Sequence, residues 1–171
     1  MTAPVAVRPP PGDGRAVITG LFAAVALLSF GAVAVALVSQ HVFAMEPCPW
    51  CVLQRLICIV IGLAAVLGLV WRGATGSRVA AGLGLLLALA GIAAALWQHF
   101  VAAHSPSCNL TLADKIVNAT ELGRLLPDVF EARASCAEAA VSLIGVPYAF
   151  WAAFVFVVCA IAFVRVLRAR V

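Results

Sequence analysis

"MEPCPWCVLQRL" (Met45–Leu56) joins two long apolar runs. It sets two cysteines three positions apart, and an arginine four residues beyond the second, where an apolar helix would begin. A membrane anchor needs none of these groups there. The reading of this stretch decides what kind of bundle the chain forms and where its chemistry lies.

The chain has 171 residues, 65% of them hydrophobic and 11% charged. Soluble domains run at about 45–50% apolar and about 25% charged. The composition therefore excludes a soluble enzyme and defines an all-α integral membrane protein, one transmembrane domain at this length (1–171). Apolar runs at about 16–38, 51–70, 79–97 and 141–163 are the expected spans, because about 20 residues cross about 30 Å of hydrocarbon. Residues 1–15, rich in Pro and Gly, read as a disordered cytoplasmic tail. A cleaved signal peptide would account for the small residues at Ala32-Val33-Ala34, but its apolar core is only about 7–15 residues long.

Four spans put both termini on one side. Arg8, Arg15, Arg72, Arg78, Arg165, Arg168 and Arg170 fall on that side with one acid, Asp13. Arg55, Lys115, Arg124 and Arg133 share the other side with six acids. The positive side is the cytoplasmic one. The net charge of +4 is thus a topology signal, and no nucleic-acid partner is expected. Two exterior loops remain, 39–50 and the longer 98–140. In the second, Leu112, Ile116, Leu122, Leu125 and Val129 recur at mostly helical spacing, with Thr111 and Asp114 as a capping pair. This short amphipathic helix either lies on the membrane surface or packs on the top of the bundle.

Cys48, Cys51, Cys108 and Cys136 all fall on the exterior side, where disulfides form and persist in a bacterium. Cys58 and Cys159 lie within spans and read as small apolar packing residues. Four thiols could bind zinc, but a second close pair is missing and no metal is expected. Two disulfides fit better. One across the 28 positions from Cys108 to Cys136 could simply brace the loop, by about 3.6 kcal/mol in the chain-entropy model. One between Cys48 and Cys51 closes a tiny ring, and strained, accessible disulfides are the labile or catalytic kind. Pro49 suits a first helical position. That puts Cys51 in the first turn, where the helix dipole favours an anion, with Arg55 one turn on along the same face; both depress a thiol pKa. An arginine at the hydrocarbon boundary reads as functional, the plain alternative being snorkelling to the headgroups.

Taken together, "PCPWCVLQR" (Pro47–Arg55), "WQHF" (Trp97–Phe100) and "SCAEAAVSLIGVP" (Ser135–Pro147) resemble the DsbB family of disulfide-generating membrane proteins. The resemblance runs from the first span to the fourth. It departs at Val141, where the family often has Trp, and in the short spacing from Gly145 to Pro147. It implies a bacterial inner-membrane thiol oxidase with a periplasmic active site that reoxidises a DsbA-like thioredoxin-fold protein. Cys108 would hold the mixed disulfide with that partner, Cys136 would attack Cys48, and the freed Cys51 would pass electrons to a membrane quinone, ubiquinone or menaquinone. Arg55 would favour the Cys51 thiolate and the quinone oxygen. His99 would donate a hydrogen bond across the ring, or else pack at the interface. Whether both disulfides or an inter-loop pair such as Cys48 with Cys136 is the resting form stays open.

Two rival readings leave residues unexplained. A vitamin K epoxide reductase-like protein also combines four helices, a Cys-x-x-Cys and a loop pair, but carries that motif on a later helix. A four-span structural protein with braced loops gives no reason for Arg55. The triplets at Asn109 and Asn118 fit a glycosylation pattern that arises often by chance.

Overall fold

The computed structural model describes residues 13–71, 73–104 and 112–169. Four long helices make up the bundle: α1 (Asp13–Phe43), α2 (Pro49–Val70), α3 (Ala74–Phe100) and, after the loop elements, α7 (Tyr148–Arg168). All four are long and apolar enough to cross a membrane. In hydrocarbon every backbone N–H and C=O must be satisfied within the segment, which is why such runs become helices. Consecutive helices pack side by side, and α7 closes the ring against α3 and α1.

Phenylalanines seated on glycines hold the helices together. Phe22 and Phe30 of α1 lie over Gly68 and Gly62 of α2, and Phe163 and Phe156 of α7 lie over Gly84 and Gly91 of α3. A Cβ at Gly84 would come within 2.3 Å of the Phe163 ring, and one at Gly91 within 2.5 Å of Phe156. The Phe22 and Phe163 rings meet at 6.3 Å and join the two halves. Small residues matter here because lipid tails are as apolar as leucine, so close van der Waals contact drives association. Leu27, Leu63, Leu86 and Phe154 turn outward, as a lipid solvent allows.

The ends of the helices differ from the apolar runs. α1 continues to Phe43 and reduces the first exterior connection to 44–48, where Ala44 takes a positive φ of 52°. α3 extends the third run at both ends. The fourth run does not begin as helix. Residues 142–147 form a small hairpin, β1 (Ser142–Leu143) against β2 (Val146–Pro147), with Leu143 facing Val146. Its turn needs positive φ at Ile144 (55°) and Gly145 (77°), the two-residue pattern of a type I′ turn. Gly145 favours that turn, and Pro147, paired with Ser142 in extended conformation (ψ 136°), is the N-cap, so α7 starts at Tyr148. The Trp151 indole then donates to the Leu143 carbonyl at 3.3 Å.

The second exterior loop holds α4 (Leu112–Ala119), α5 (Leu122–Leu125) and α6 (Pro127–Phe130). The buried face of α4 is Ala113 and Val117, while Leu112 and Ile116 stay exposed. Phe130, with Leu122 and Val129 partly buried, completes the contact with the bundle top. The expected amphipathic helix is therefore three short pieces, of which α4 turns Ala113 and Val117 to the bundle and α6 turns Phe130. Thr111, and the tail up to residue 12, lie outside the described residues.

Gly84→Ala and Gly91→Ala should each destabilise the bundle by about 1–3 kcal/mol, the cost of overpacking. Gly82→Ala, with open space around its Cβ position, should be neutral or stabilising. Unfolding in detergent, followed by helical circular dichroism, checks both.

Candidate functional site

The opening of α2 gathers the thiols. Cys48 is its N-cap, with extended backbone (φ −86°, ψ 168°) and Pro49 following in the first turn. The cap is a sulfur: the Cys51 amide donates to Cys48 Sγ at 3.3 Å. That turn leaves the two sulfurs 2.8 Å apart, Cys48 fully buried and Cys51 half-buried. The five described cysteines are free thiols; Cys108 lies outside the described residues.

Cys136 comes to this cluster from the second loop. It packs against the cluster that holds Cys48 and Trp50, with its sulfur within electrostatic reach of the Cys48 thiol and the Trp50 backbone N–H. The first of these above all holds its pKa below the ordinary thiol value. Cys48 is pushed the opposite way, first by Cys136, then by Cys51 and by burial. The helix start thus gives the Cys51 N–H to sulfur.

Backbone amides hold the loop in this place. Arg133 and Ala134 both donate to the Pro47 carbonyl, at 3.0 and 3.3 Å, next to Cys48 in sequence. On the far side Arg55, 6% exposed, donates through Nη1 to Gln40 Oε1 at 3.0 Å and to the Val129 carbonyl. Gln40 in turn donates to the Asp128 carbonyl at 3.2 Å. Exposed ion pairs from Arg133 to Glu131 and Asp128 add little, about 0–1 kcal/mol. The buried charge-assisted bonds are worth about 1.5–3 kcal/mol each and dominate. Arg55 also lies within electrostatic reach of Cys51. Its Nε is buried with no hydrogen-bond partner among the described residues.

Three glutamines complete the site; Gln54 and Gln98 stand in two of the motifs that carry the resemblance without an expected role, and Gln40 in none. Gln98, from the last turns of α3 and 5% exposed, sends Nε2 to Cys51 Sγ at 3.2 Å and to Cys48 Sγ at 3.5 Å. Gln54 donates to Gln98 Oε1. The available signal was an uncharged polar residue near the exterior end of three apolar runs, at Gln40, Gln54 and Gln98, where desolvation demands a partner.

Two cavities adjoin the thiols. The larger, about 520 Å³, is lined by Cys51, Gln54, Arg55 and Gln98, with Leu28 and Phe156 among its apolar walls. The smaller, about 190 Å³, is lined by Cys136, Gln98, His99 and His104. Gln98 and Tyr148 line both. His99, read as a donor across the quinone ring or else a packed interfacial residue, lines the smaller cavity and packs against Phe100 and Phe150 at 4.9 and 4.6 Å. Its neighbour Gln98 faces the sulfurs instead, because adjacent positions on a helix diverge by about 100°. Cys58 lines the larger cavity, while Cys159 is buried with Ser29 3.7 Å away.

Four apolar helices with a dithiol and a third thiol at one mouth define a multi-pass membrane oxidoreductase of the disulfide-forming class. A family model described as Disulfide bond formation protein DsbB matches residues 18–166, and the chain belongs to that family. It is 34% identical to Disulfide bond formation protein B of Herminiimonas arsenicoxydans, over 81% of this chain and 87% of that protein. Identity to the protein of that name from Aromatoleum aromaticum is 37%, over 80% and 82%. With that of Nitrosospira multiformis it is 31%, over 91% and 92%. No solved structure matches the chain.

Gln40→Leu should remove one acceptor from Arg55 and free the Asp128 carbonyl, costing about 1–3 kcal/mol; faster amide exchange over 127–134 would report the loosened loop. A second expectation follows the thiol pKa. A lowered pKa leaves more thiolate at neutral pH, so Cys48→Ala, which removes the leading cause, should slow Cys136 alkylation at pH 7.

Proposed function

We propose that this protein is a protein-dithiol:quinone oxidoreductase. It reoxidises a periplasmic DsbA-like thioredoxin-fold protein and passes two electrons through its cysteine pairs to ubiquinone or menaquinone. The observation that carries this reading is the position of Cys48, in the cluster against which Cys136 packs and 2.8 Å from Cys51, while Cys51 lines the larger cavity beside Arg55. One sulfur faces the loop and the next faces an apolar space.

The exchange balances as follows. A thiolate of the donor protein attacks the Cys108–Cys136 disulfide at Cys108 and releases Cys136 as a thiolate. The donor's second thiolate attacks the mixed disulfide and leaves oxidised. That second attack releases Cys108 as a thiolate. Cys136 attacks Cys48 in the Cys48–Cys51 disulfide and releases Cys51 as a thiolate. Cys108 then attacks Cys136 in the resulting Cys48–Cys136 bond, which re-forms Cys108–Cys136 and releases Cys48, so that Cys48 and Cys51 hold the two electrons. Thiolate attack on a disulfide sulfur is faster the better the leaving thiol bears charge. A quinone in the larger cavity would accept those two electrons with two protons as the Cys48–Cys51 disulfide re-forms. The apolar walls suit such a ring, and the Arg55 guanidinium among the lining residues suits one of its oxygens. Arg55 keeps its Nη1 on Gln40 and Val129, so it can hold an anion without leaving the loop.

The reading places the mouth in the periplasm and both termini in the cytoplasm of an inner-membrane protein, as the arginine distribution requires. It treats residues 1–171 as one domain.

Purified protein, a reduced DsbA-like protein and a soluble quinone should give quinone reduction. Cys51→Ser should abolish it, and Arg55→Gln should slow it by about 100-fold, as for loss of an oxyanion donor. His99→Ala should leave the quinone KM unchanged, since its ring lines the smaller cavity. Dithiol oxidation that proceeds equally well in Cys51→Ser would overturn the reading.

A further inference from the structure

We infer that Gln98 is a catalytic residue that makes Cys51, rather than Cys48, the sulfur that leaves and carries charge, and that Gln54 positions it. The inference deepens the exchange reading above and rests on it.

The geometry is specific. A primary amide has a donor end and an acceptor end, and only the donor end favours a thiolate. Gln54 Nε2 donates to Gln98 Oε1, which turns the Gln98 NH₂ group toward the cysteines. Its nitrogen is nearer to Cys51 Sγ, 3.2 Å, than to Cys48 Sγ, 3.5 Å. Both glutamines are more than nine-tenths buried, so water competes little for these bonds and their strength is not diluted. Cys48 meanwhile uses its sulfur to cap the helix and lies between Cys51, 2.8 Å away, and Cys136, so its one proton can serve either sulfur.

The consequence is directional. When Cys136 attacks the Cys48–Cys51 disulfide, either sulfur could in principle be struck. Attack at Cys48 expels Cys51, onto which the amide N–H is already aimed. The N–S bond is made as negative charge develops, so it favours the transition state more than the resting disulfide. Attack at Cys51 would expel Cys48, farther from the amide. Gln98 also lines both cavities, so the group that assigns the charge stands between the loop cysteine and the apolar space.

The test uses reduced protein in detergent, with neither quinone nor donor protein. Its failure therefore leaves the quinone-linked reading intact, and failure of that reading leaves this test intact. Cys51 is alkylated with iodoacetamide across a pH series and read by mass spectrometry of its peptide. Gln98→Met keeps length and removes both donors. Its Cys51 alkylation at pH 7 should fall about ten-fold, the size of a lost hydrogen bond to a charged group. The deficit should close at alkaline pH, where every Cys51 is ionised. Gln54→Met, which leaves the amide unheld, should lose about three-fold, a fraction of the same bond. A rate at pH 7 equal to wild type in folded Gln98→Met would overturn the inference. So would a deficit that persists at alkaline pH, since that reports altered access. If Gln98→Met does not fold, the Gln54→Met profile decides by the same two criteria.

Discussion

A guanidinium taken out of water near the hydrocarbon boundary must be met by acceptors, because an unpaired charge there is among the costliest groups a protein can bury. Arg55 finds two acceptors, the Gln40 side chain on α1 and the Val129 carbonyl on the second loop. Satisfying it therefore fixes the loop against the bundle. Gln40 extends the same tie to Asp128, and the Pro47 carbonyl fastens the loop again at Arg133 and Ala134. Between these attachments the chain carries Cys136 to the start of α2. The arginine that first reads as a helper of one thiol thus also carries the loop that brings another.

Below the mouth the chemistry of cohesion changes. Water drives no association between helices in lipid, so contact area must come from shape. The four Phe–Gly contacts supply it in two matched pairs, α1 on α2 and α7 on α3, and the Phe22–Phe163 contact unites them. Between α1 and α7 the walls stand apart around the larger cavity. The bundle is tight where glycines admit rings and open where the site needs an apolar space.

At the site itself, the division of labour among like residues comes from partners. Three cysteines lie within one small volume, yet one caps a helix, one takes the amide of Gln98, and one is carried in by the second loop. Gln54 and Gln98 differ from Gln40 only in what they face. The amide of Gln98 is directed by its neighbour, while that of Gln40 spans a cation and a carbonyl.

Much of this architecture was legible along the chain. Hydropathy alone specified four helices, since any run of that length and composition must satisfy its backbone internally in lipid, and Pro49 marked where α2 starts. The Cys-x-x-Cys and Arg55 announced the site because neither belongs in a plain anchor. The fourth run misled, because hydropathy does not distinguish a helix from an apolar hairpin and only the left-handed turn at Ile144 and Gly145 separates them. The loop periodicity named Leu112 and Ile116, whereas close approach to the bundle selected Ala113 and Val117. Which glutamine meets sulfur, which cavity receives His99, and that Cys136 reaches Cys48 were decided by tertiary structure alone. Each depends on the rotation of one helix against another and on acceptors contributed from distant parts of the chain, and local pattern carries neither.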